Sequence, residues 1–492
     1  MMMLNNMVKE NHTKNTKIVC TIGPSSDKKE VLDKLIENGM NVMRLNFSHG
    51  TYEEHLKKIE LARSYEKDGI FIPIMLDTKG PEIRCHLMEN NAVKIEKGQI
   101  TRISMKEVLG TKDKISVNYP KLFDDINIGN NIKIDDGKLN YKVIDKDFTN
   151  REIICEALNN HILCSRKGVN CLGARLSMDF ISEADKNDIT WGCEHGIDFI
   201  SASFVRNAND VKAIKDLCAS LNHKEILVIS KIENYEAIGC LEEIVDASDA
   251  IMVARGDLGL EIPEEEVPLV QKQLIELCRL KGKPVITATQ MLDSMCHSPI
   301  PTRAEVGDVA TSINESTDCV MLSGESASGE YPVESVLMQT KIARTMEKHL
   351  NYEVLAREAY ESSNKDNNDA IANAIANTAK LIDAKLIVSF TETGRTSRRI
   401  SKARPCCPIL SISKNITTVR QNALYWGIYS SLIKCKKMPD FIEEMEVIAL
   451  VKAKQFGLKP NDTILMVGGT PTGSGNTNFL RIIKIPIEKD VL

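Results

Sequence analysis

Lys231 and Glu233 stand two residues apart at the end of Leu227-Val228-Ile229-Ser230-Lys231-Ile232-Glu233-Asn234, an apolar run with strand character. On a β-strand, residues i and i+2 point to the same side, so a cation and an anion are aimed into one space. The ammonium suits phosphoryl oxygens and the carboxylate offers magnesium a hard oxygen ligand; a strand-end ion pair with no further role has the same pattern. Arg255-Gly256-Asp257 brings a second carboxylate and a glycine beside which an anion can approach backbone amides. Thr289 can hydrogen-bond a carboxylate or relay a proton, or serve structure alone. Arg44 lies in Asn41-Val42-Met43-Arg44-Leu45-Asn46-Phe47-Ser48-His49-Gly50, where it alternates with Asn46 and Ser48. Burying an arginine among apolar neighbours requires an anion, either a bound phosphate or a carboxylate at a barrel end. Together these residues describe an electropositive pocket with two acidic ligands, suited to a small phosphorylated carboxylic acid. Their chemistry leaves phosphoryl transfer, carbon–carbon cleavage and binding alone open.

The elements that must position these side chains are eight strand-like runs, each followed by helical sequence. They are Lys17–Gly23, Asn41–Gly50, Ile72–Leu76, Phe199–Val205, Leu227–Asn234, Ala250–Asp257, Pro284–Gln290 and Cys319–Glu325. Eight such units predict an α/β fold built on a (β/α)8 TIM barrel, and nearly every polar residue of interest falls at a strand's C-terminal end, where such barrels carry their sites. From about His86 to Asn170 the rhythm changes to short alternating runs between Gly, Asn and Asp turns, which predicts a small β-rich insertion after strand three. Beyond a helical stretch from Pro332 to Tyr360, the polar Glu361–Asp369 reads as a linker or helix entry. A second α/β unit then follows, with strands at Lys385–Phe390, Pro408–Ile412, Thr463–Val467 and Arg481–Ile485.

A length of 492 residues calls for roughly three domains. The formal net charge of −5 gives no footprint for nucleic acid or an anionic membrane. Met1 to Asn15 is polar, and no apolar run approaches bilayer length, so the expected location is the cytosol. The 14 cysteines include no Cys-x-x-Cys pair and read as reduced, largely core thiols.

The motifs CTIGPSS, MRLNFSHG, LDTKGPEIR, RKGVN, ISKIEN, ARGDLG, ATQMLDSM, PTRAEV and MLSGES, in this order and with a β-rich insertion after strand three, resemble the pyruvate kinase family from about Lys14 onward. The resemblance implies transfer of the phosphoryl group of phosphoenolpyruvate to ADP, giving pyruvate and ATP in glycolysis, by a cytoplasmic homotetramer. It implies an N-terminal tail (1–13), a catalytic barrel (14–84 and 171–350), a small β-barrel lid (85–170) and a C-terminal α/β regulatory domain (351–492). Lys231 then stabilises the phosphoryl group, Glu233 and Asp257 hold Mg2+ or Mn2+, and Arg44 contacts the phosphate. Gly256 and Asp257 amides with the Thr289 hydroxyl bind the substrate carboxylate, and a water relay near Thr289 and Ser323 protonates the enolate. Asn46, Ser48, Asp77 and Thr78 match the K+ ligands. Pro24, Asn46, His49, Arg84 and Lys167 match the nucleotide positions, the last of them on a lid that excludes water. Glu82 stands where potassium-independent members carry lysine. An ammonium there can replace the cation, whereas glutamate leaves that charge to be supplied, so potassium dependence is expected.

This chain departs from the family pattern chiefly at two places, with Gly307 for the usual serine and Ser326 for the usual threonine as minor differences. The return from the insertion, Gly168 to Asp179, lacks two prolines and an aspartate, which leaves either a looser hinge or drift without consequence. The loop Thr391-Glu392-Thr393-Gly394-Arg395-Thr396 resembles the family's effector-phosphate loop. Glu392 replaces a lysine found in fructose-1,6-bisphosphate-responsive members, and Gly469–Gly475 lacks their arginine. One phosphate cradle remains, so the expected effector is a sugar monophosphate. Two other functions fit the barrel residues: a magnesium-dependent pyruvate or phosphoenolpyruvate lyase, which needs neither the lid nor DTKGPEIR, and an inactive phosphosugar-binding regulator, against which intact Lys231, Glu233, Asp257 and Thr289 argue.

Overall fold

The computed structural model describes residues 13–363, 365–471, 473 and 477–487. Most of the expected N-terminal tail, and Thr472, Ser474 and Gly475 of the glycine-rich loop near the C-terminus, lie outside the described residues. Eight parallel strands close into a barrel: Lys17–Thr21, Val42–Asn46, Ile74–Asp77, Phe199–Ala202, Leu227–Ile232, Ala250–Ala254, Val285–Ala288 and Cys319–Leu322. The last strand pairs with the first, Cys319 opposite Lys17. Third and fourth pair directly across the insertion, Met75 opposite Phe199.

Successive side chains on each strand divide between two cores, as the period of two requires. Val19, Val42, Met75, Phe199, Ile229, Met252 and Ile286 fill the barrel interior. Ile18, Met43, Ile74, Ile200, Val228 and Ile251 pack outward with helix residues such as Leu32, Leu35 and Leu274. The interior cluster continues without a break into Leu424, Tyr425, Ile387 and Ile409 of the C-terminal unit. The Arg404 guanidinium, buried against Trp426, reaches Asp318 at 2.8 Å and ties the same two units together. The strands end earlier than their apolar runs suggested. Phe47–Gly50 is a turn, so Ser48 does not share a strand face with Arg44 and Asn46, and Arg255–Glu261 is already helical.

The insertion folds around its own apolar core, which includes Ile103, Ile132, Ile134, Tyr141 and Ile153. Its seven-stranded sheet begins at Ile83–Arg84 and ends in space at Lys114–Ser116, and an antiparallel bridge from Cys85 to Val117 brings the two edges together. The outgoing and returning chains pair with each other, Arg84 opposite Gly168 and Ile83 opposite Val169. The proline-free return is held by hydrogen bonds. Arg206 Nη1 donates to the carbonyls of Leu176 (3.3 Å) and Met178 (3.0 Å), while Ser177 donates through its amide (2.8 Å) and hydroxyl (2.7 Å) to Asp125 of the insertion. Asp210 grips the same guanidinium by two bonds of 3.0 Å.

The C-terminal unit is a five-stranded sheet in the order Ile428–Leu432, Ile409–Ser413, Leu386–Phe390, Thr463–Gly468, Phe479–Lys484, with the last strand antiparallel. Its first strand in that order, Ile-Tyr-Ser-Ser-Leu, escapes sequence reading because Tyr429, Ser430 and Ser431 interrupt its apolar character.

Replacing Arg206 with Met strips two carbonyls and Asp210 of a charged partner. The expected cost is about 1–3 kcal/mol, felt as local opening of the return segment. Limited proteolysis should cut the variant near residues 174–178 about tenfold faster than the parent, and equal rates would show that Arg206 does not hold the return.

Candidate functional site

The barrel mouth is organised by a buried carboxylate. Asp77, at the end of the third strand, accepts from Arg44 Nε on Oδ2 (2.9 Å) and from Lys231 Nζ on Oδ1 (3.2 Å). Arg44 Nη1 also donates to Thr21 Oγ1 (2.8 Å), and Lys231 Nζ donates to Ser203 Oγ (2.8 Å) and lies 2.8 Å from Glu233 Oε1. Both cations are 8% exposed. Burial opposes the charge on Lys231, but Asp77 and Glu233 more than offset it and raise its affinity for the proton above that of an ordinary lysine. Burial likewise opposes ionisation of Asp77, and Arg44 with Lys231 outweighs it, so this carboxyl sits below the usual range. Two fixed positive charges therefore face the mouth.

Glu233 is fully buried. Its Oε2 accepts from the Phe204 amide (2.6 Å), whereas Oε1 has the Lys231 contact but no aligned hydrogen bond. Burial, reinforced by the Asp257 charge and opposed by Lys231, pushes its carboxyl up to about 7. A buried carboxylate oxygen without a full donor set, beside a second carboxylate, fits a divalent ion. Among the described residues no group of three or more His, Cys, Asp or Glu side chains forms a closed metal cage. Two carboxylates with room for water and substrate oxygens match magnesium or manganese better than a structural zinc.

On the facing side of the mouth the Gly256 amide donates to Thr289 Oγ1 (2.7 Å), which donates in turn to the Ala288 carbonyl (2.6 Å). A Cβ on Gly256 would meet Thr289 Oγ1 at 3.5 Å, an ordinary contact, so protein packing does not demand the glycine. Ser323 follows directly on the last strand. Its amide donates to Glu325 Oε2 (2.8 Å), and Oε1 of the same buried carboxylate accepts from the Leu292 amide (3.0 Å). Glu325 thus locks the loops carrying Thr289 and Ser323 to each other, a role with no sequence signal beyond its place in MLSGES.

The four oxygen-bearing positions expected for a monovalent cation cluster near Asp77. Asn46 is its register neighbour and Oδ1 accepts from the Ser48 amide (3.0 Å). Thr78 follows Asp77, and its Oγ1 accepts from the Ser203 amide (3.1 Å). All four donors are oxygen, as a hard monovalent ion requires. Phe47, between Asn46 and Ser48, stacks on His55 at 4.1 Å and 9°, and His55 Nε2 lies 3.0 Å from the His49 carbonyl. His55 therefore sets the Asn46–Gly50 turn, although nothing in its spacing announced it. Pro24 and His49 are exposed at the rim. Arg84 pairs with Glu82 (2.6 Å) and donates to the Arg166 carbonyl (2.8 Å), and Lys167 pairs with Asp135 of its own unit (2.9 Å). These two cations are backbone neighbours, since the Cys85 amide donates to the Lys167 carbonyl (2.9 Å). A cleft between insertion and barrel is lined by Glu82, Asn170, Phe204, Arg206 and Asp257.

In the C-terminal unit Thr391 Oγ1 accepts from the Gly394 amide (3.0 Å) in a turn where Gly394 has φ 82. A small pocket is lined by Thr391, Thr393, Arg395, Thr396 and Thr477. Glu392, also at its edge, pairs with Lys414 at 3.3 Å.

Residues 13–336 match the family model described as pyruvate kinase, barrel domain, and residues 369–483 the one described as pyruvate kinase, alpha/beta domain. The chain is 46% identical over 472 residues to a pyruvate kinase of Geobacillus stearothermophilus, covering 95% of this chain and 80% of the relative. It is 45% identical over 469 residues to one of Staphylococcus saprophyticus, with the same shares covered. The crystal structure of a pyruvate kinase from Cryptosporidium parvum superposes with a TM-score of 0.90 at 36% identity, covering 96% of each chain.

Burial, with Lys58 nearby, holds the His55 imidazole down to about 4, whereas the unfolded chain takes up that proton near 6.5. The folded state prefers the neutral ring, so this contribution to stability is complete above pH 6.5 and is lost as pH falls from there toward 4. Thermal midpoints measured across that window should fall less steeply for His55→Gln, which can still donate to the carbonyl at position 49. Parallel profiles for the two proteins would rule out this contribution.

Proposed function

The chain belongs to the pyruvate kinase family and is a phosphotransferase that moves the phosphoryl group of phosphoenolpyruvate to ADP, giving pyruvate and ATP; we propose that the group built on Asp77 is where the transfer takes place. The observation that carries this assignment is the pair of buried cations, Arg44 and Lys231, held on opposite oxygens of one carboxylate. A phosphoryl group in flight spreads charge over its oxygens, and charges already in place stabilise it without reorganising. Lys231 meets the transferring group and Arg44 the phosphate. The amides of Gly256 and Asp257 with the Thr289 hydroxyl hold the substrate carboxylate, and Gly256 trades its bond to Thr289 Oγ1 for the substrate. A water relay near Thr289 and Ser323 delivers the proton to the enolate carbon.

Glu233 and Asp257 hold Mg2+ or Mn2+, which supplies positive charge to the reacting oxygens when bound. Asn46, Ser48, Asp77 and Thr78 hold K+. Glu82 presents a carboxylate, paired with Arg84, where an ammonium could replace the ion, and this supports the potassium reading. Pro24, Asn46, His49, Arg84 and Lys167 bind the nucleotide, with Lys167 released from Asp135 as the insertion (85–170) closes over the barrel (14–84 and 171–350). The C-terminal unit (351–492) is regulatory. The neutralised Glu392–Lys414 pair and the hydroxyl-lined turn at Thr391–Thr396 support a sugar monophosphate as effector. The family supports a homotetramer. No helix among the described residues is long and apolar enough to cross a membrane, and the free cysteines suit the reducing cytoplasm.

Pyruvate formation from phosphoenolpyruvate and ADP with magnesium, assayed in potassium and in sodium at equal ionic strength, tests these assignments. Turnover should collapse in sodium, Lys231→Met should lose about 10³ in kcat, and Glu82→Lys should regain turnover in sodium. Turnover by the parent that is equal in both salts would remove the potassium assignment, and a Lys231→Met protein with full activity would remove the site. For the regulatory unit, a sugar monophosphate should lower the half-saturating phosphoenolpyruvate concentration more than fructose-1,6-bisphosphate does, and an equal response would overturn the single-cradle reading.

A further inference from the structure

Thr289 has a backbone that a threonine rarely adopts. Its φ is 65 and that of Gln290 is 53, so two consecutive side-chain-bearing residues lie in the left-handed region. A branched Cβ makes that conformation strained, and it persists only where neighbours over-determine it. The neighbour here is Arg255. Its Nε donates to the Ala288 carbonyl (3.1 Å), and its Nη2 donates to the Thr289 carbonyl (2.7 Å) and lies 2.9 Å from Met291 Sδ. On the other side Nη1 reaches Asp308 Oδ1 (2.6 Å) and Gln271 Oε1 (3.3 Å), which anchors the guanidinium to the helices Arg303–Asn314 and Val267–Lys281. One planar group therefore grips the carbonyls on both sides of the Thr289 Cα. The next residue, Gly256, engages the hydroxyl of the same threonine.

The bond to Ala288 has a particular consequence. In the free protein the Thr289 hydroxyl donates to that carbonyl at 2.6 Å. When the hydroxyl turns to donate to a bound carboxylate or a relay water, the buried carbonyl would lose its partner, which is costly. Arg255 Nε remains on it, so the hydroxyl is free to turn. We infer that Arg255 is a positioning residue for the reaction: it fixes the strained Thr289 turn and keeps the Ala288 carbonyl satisfied while the Thr289 hydroxyl changes partners. This rests on the reading of Thr289 as a substrate-facing hydroxyl. Asp308, whose side chain is 34% exposed, is the outer anchor of the same device.

The test uses the full chain with Arg255→Lys, Arg255→Gln, Asp308→Asn and Thr289→Ala, and the Arg255→Gln/Thr289→Ala double variant. The readouts are kcat, KM for each substrate, and solvent-deuterium exchange into the methyl group of pyruvate. Arg255→Gln should lower kcat/KM for phosphoenolpyruvate about tenfold to a hundredfold and slow methyl exchange in proportion, with the KM for ADP within about twofold. Arg255→Lys, which can replace one of the two carbonyl bonds, should recover part of the loss, and Asp308→Asn should show a smaller change in the same direction. In the Thr289→Ala background the Arg255→Gln change should cost no more than about twofold, because the hydroxyl it serves is gone. Multiplicative losses in the double variant would overturn the inference, as would a rise in the KM for ADP equal to that for phosphoenolpyruvate. A Thr289→Ala protein with parental kinetics would instead overturn the reading of Thr289. If Arg255→Gln does not fold, Asp308→Asn paired with Thr289→Ala carries the same comparison.

Discussion

Everything at the barrel mouth depends on the double engagement of Asp77. Without that carboxylate Arg44 would be a buried charge with no counterion, and Lys231 would be left with Glu233 alone while repelling Arg44. Asp77 bridges the two cations and, with Glu233, keeps the Lys231 ammonium protonated. With all four side chains ionised their charges cancel, which limits the cost of burying them, and the raised Glu233 carboxyl, about 7, leaves a partial positive excess near neutral pH. A doubly charged anion and a divalent cation entering together would leave that balance nearly unchanged, whereas either alone would disturb it.

Much of this was legible in the sequence because strand periodicity and strand ends are one-dimensional signals. Lys231 and Glu233 fall on one side of a strand by parity alone, and the eight barrel strands follow from apolar runs that each end in polar residues. Backbone direction past the strand end was not legible. Ser48 sits in a turn, and Arg255 to Asp257, expected as the end of a strand, already open the helix Arg255–Glu261, because apolar runs do not mark where the ladder stops. The strand Ile428–Leu432 was missed because two serines and a tyrosine break its pattern, and it is defined by its neighbour Ile409–Ser413.

The supporting residues were invisible for a different reason. Arg255 acts on main-chain groups 33 and 34 positions away, Glu325 on one 33 away as well as on nearby Ser323, and His55 on one 6 away. A carbonyl carries no residue identity, so a side chain that serves one leaves no complementary signal elsewhere in the sequence. The return segment from the insertion shows the same limit. Its missing prolines are plain to read, but the hydrogen bonds from Arg206 and to Asp125 that hold it depend on three-dimensional placement.

The insertion leaves and re-enters the barrel through strands that pair with each other, Arg84 beside Gly168, while the third and fourth barrel strands pair directly beneath. Antiparallel partners lie only about 5 Å apart. The two ends of an independently cored unit are therefore already stapled together before they meet the barrel. Closure of the barrel is indifferent to what lies between them, and in engineering terms the lid is a detachable cassette: a short hairpin could bridge the gap, or a foreign domain with adjacent termini could occupy it, and the eight-stranded ring would still close.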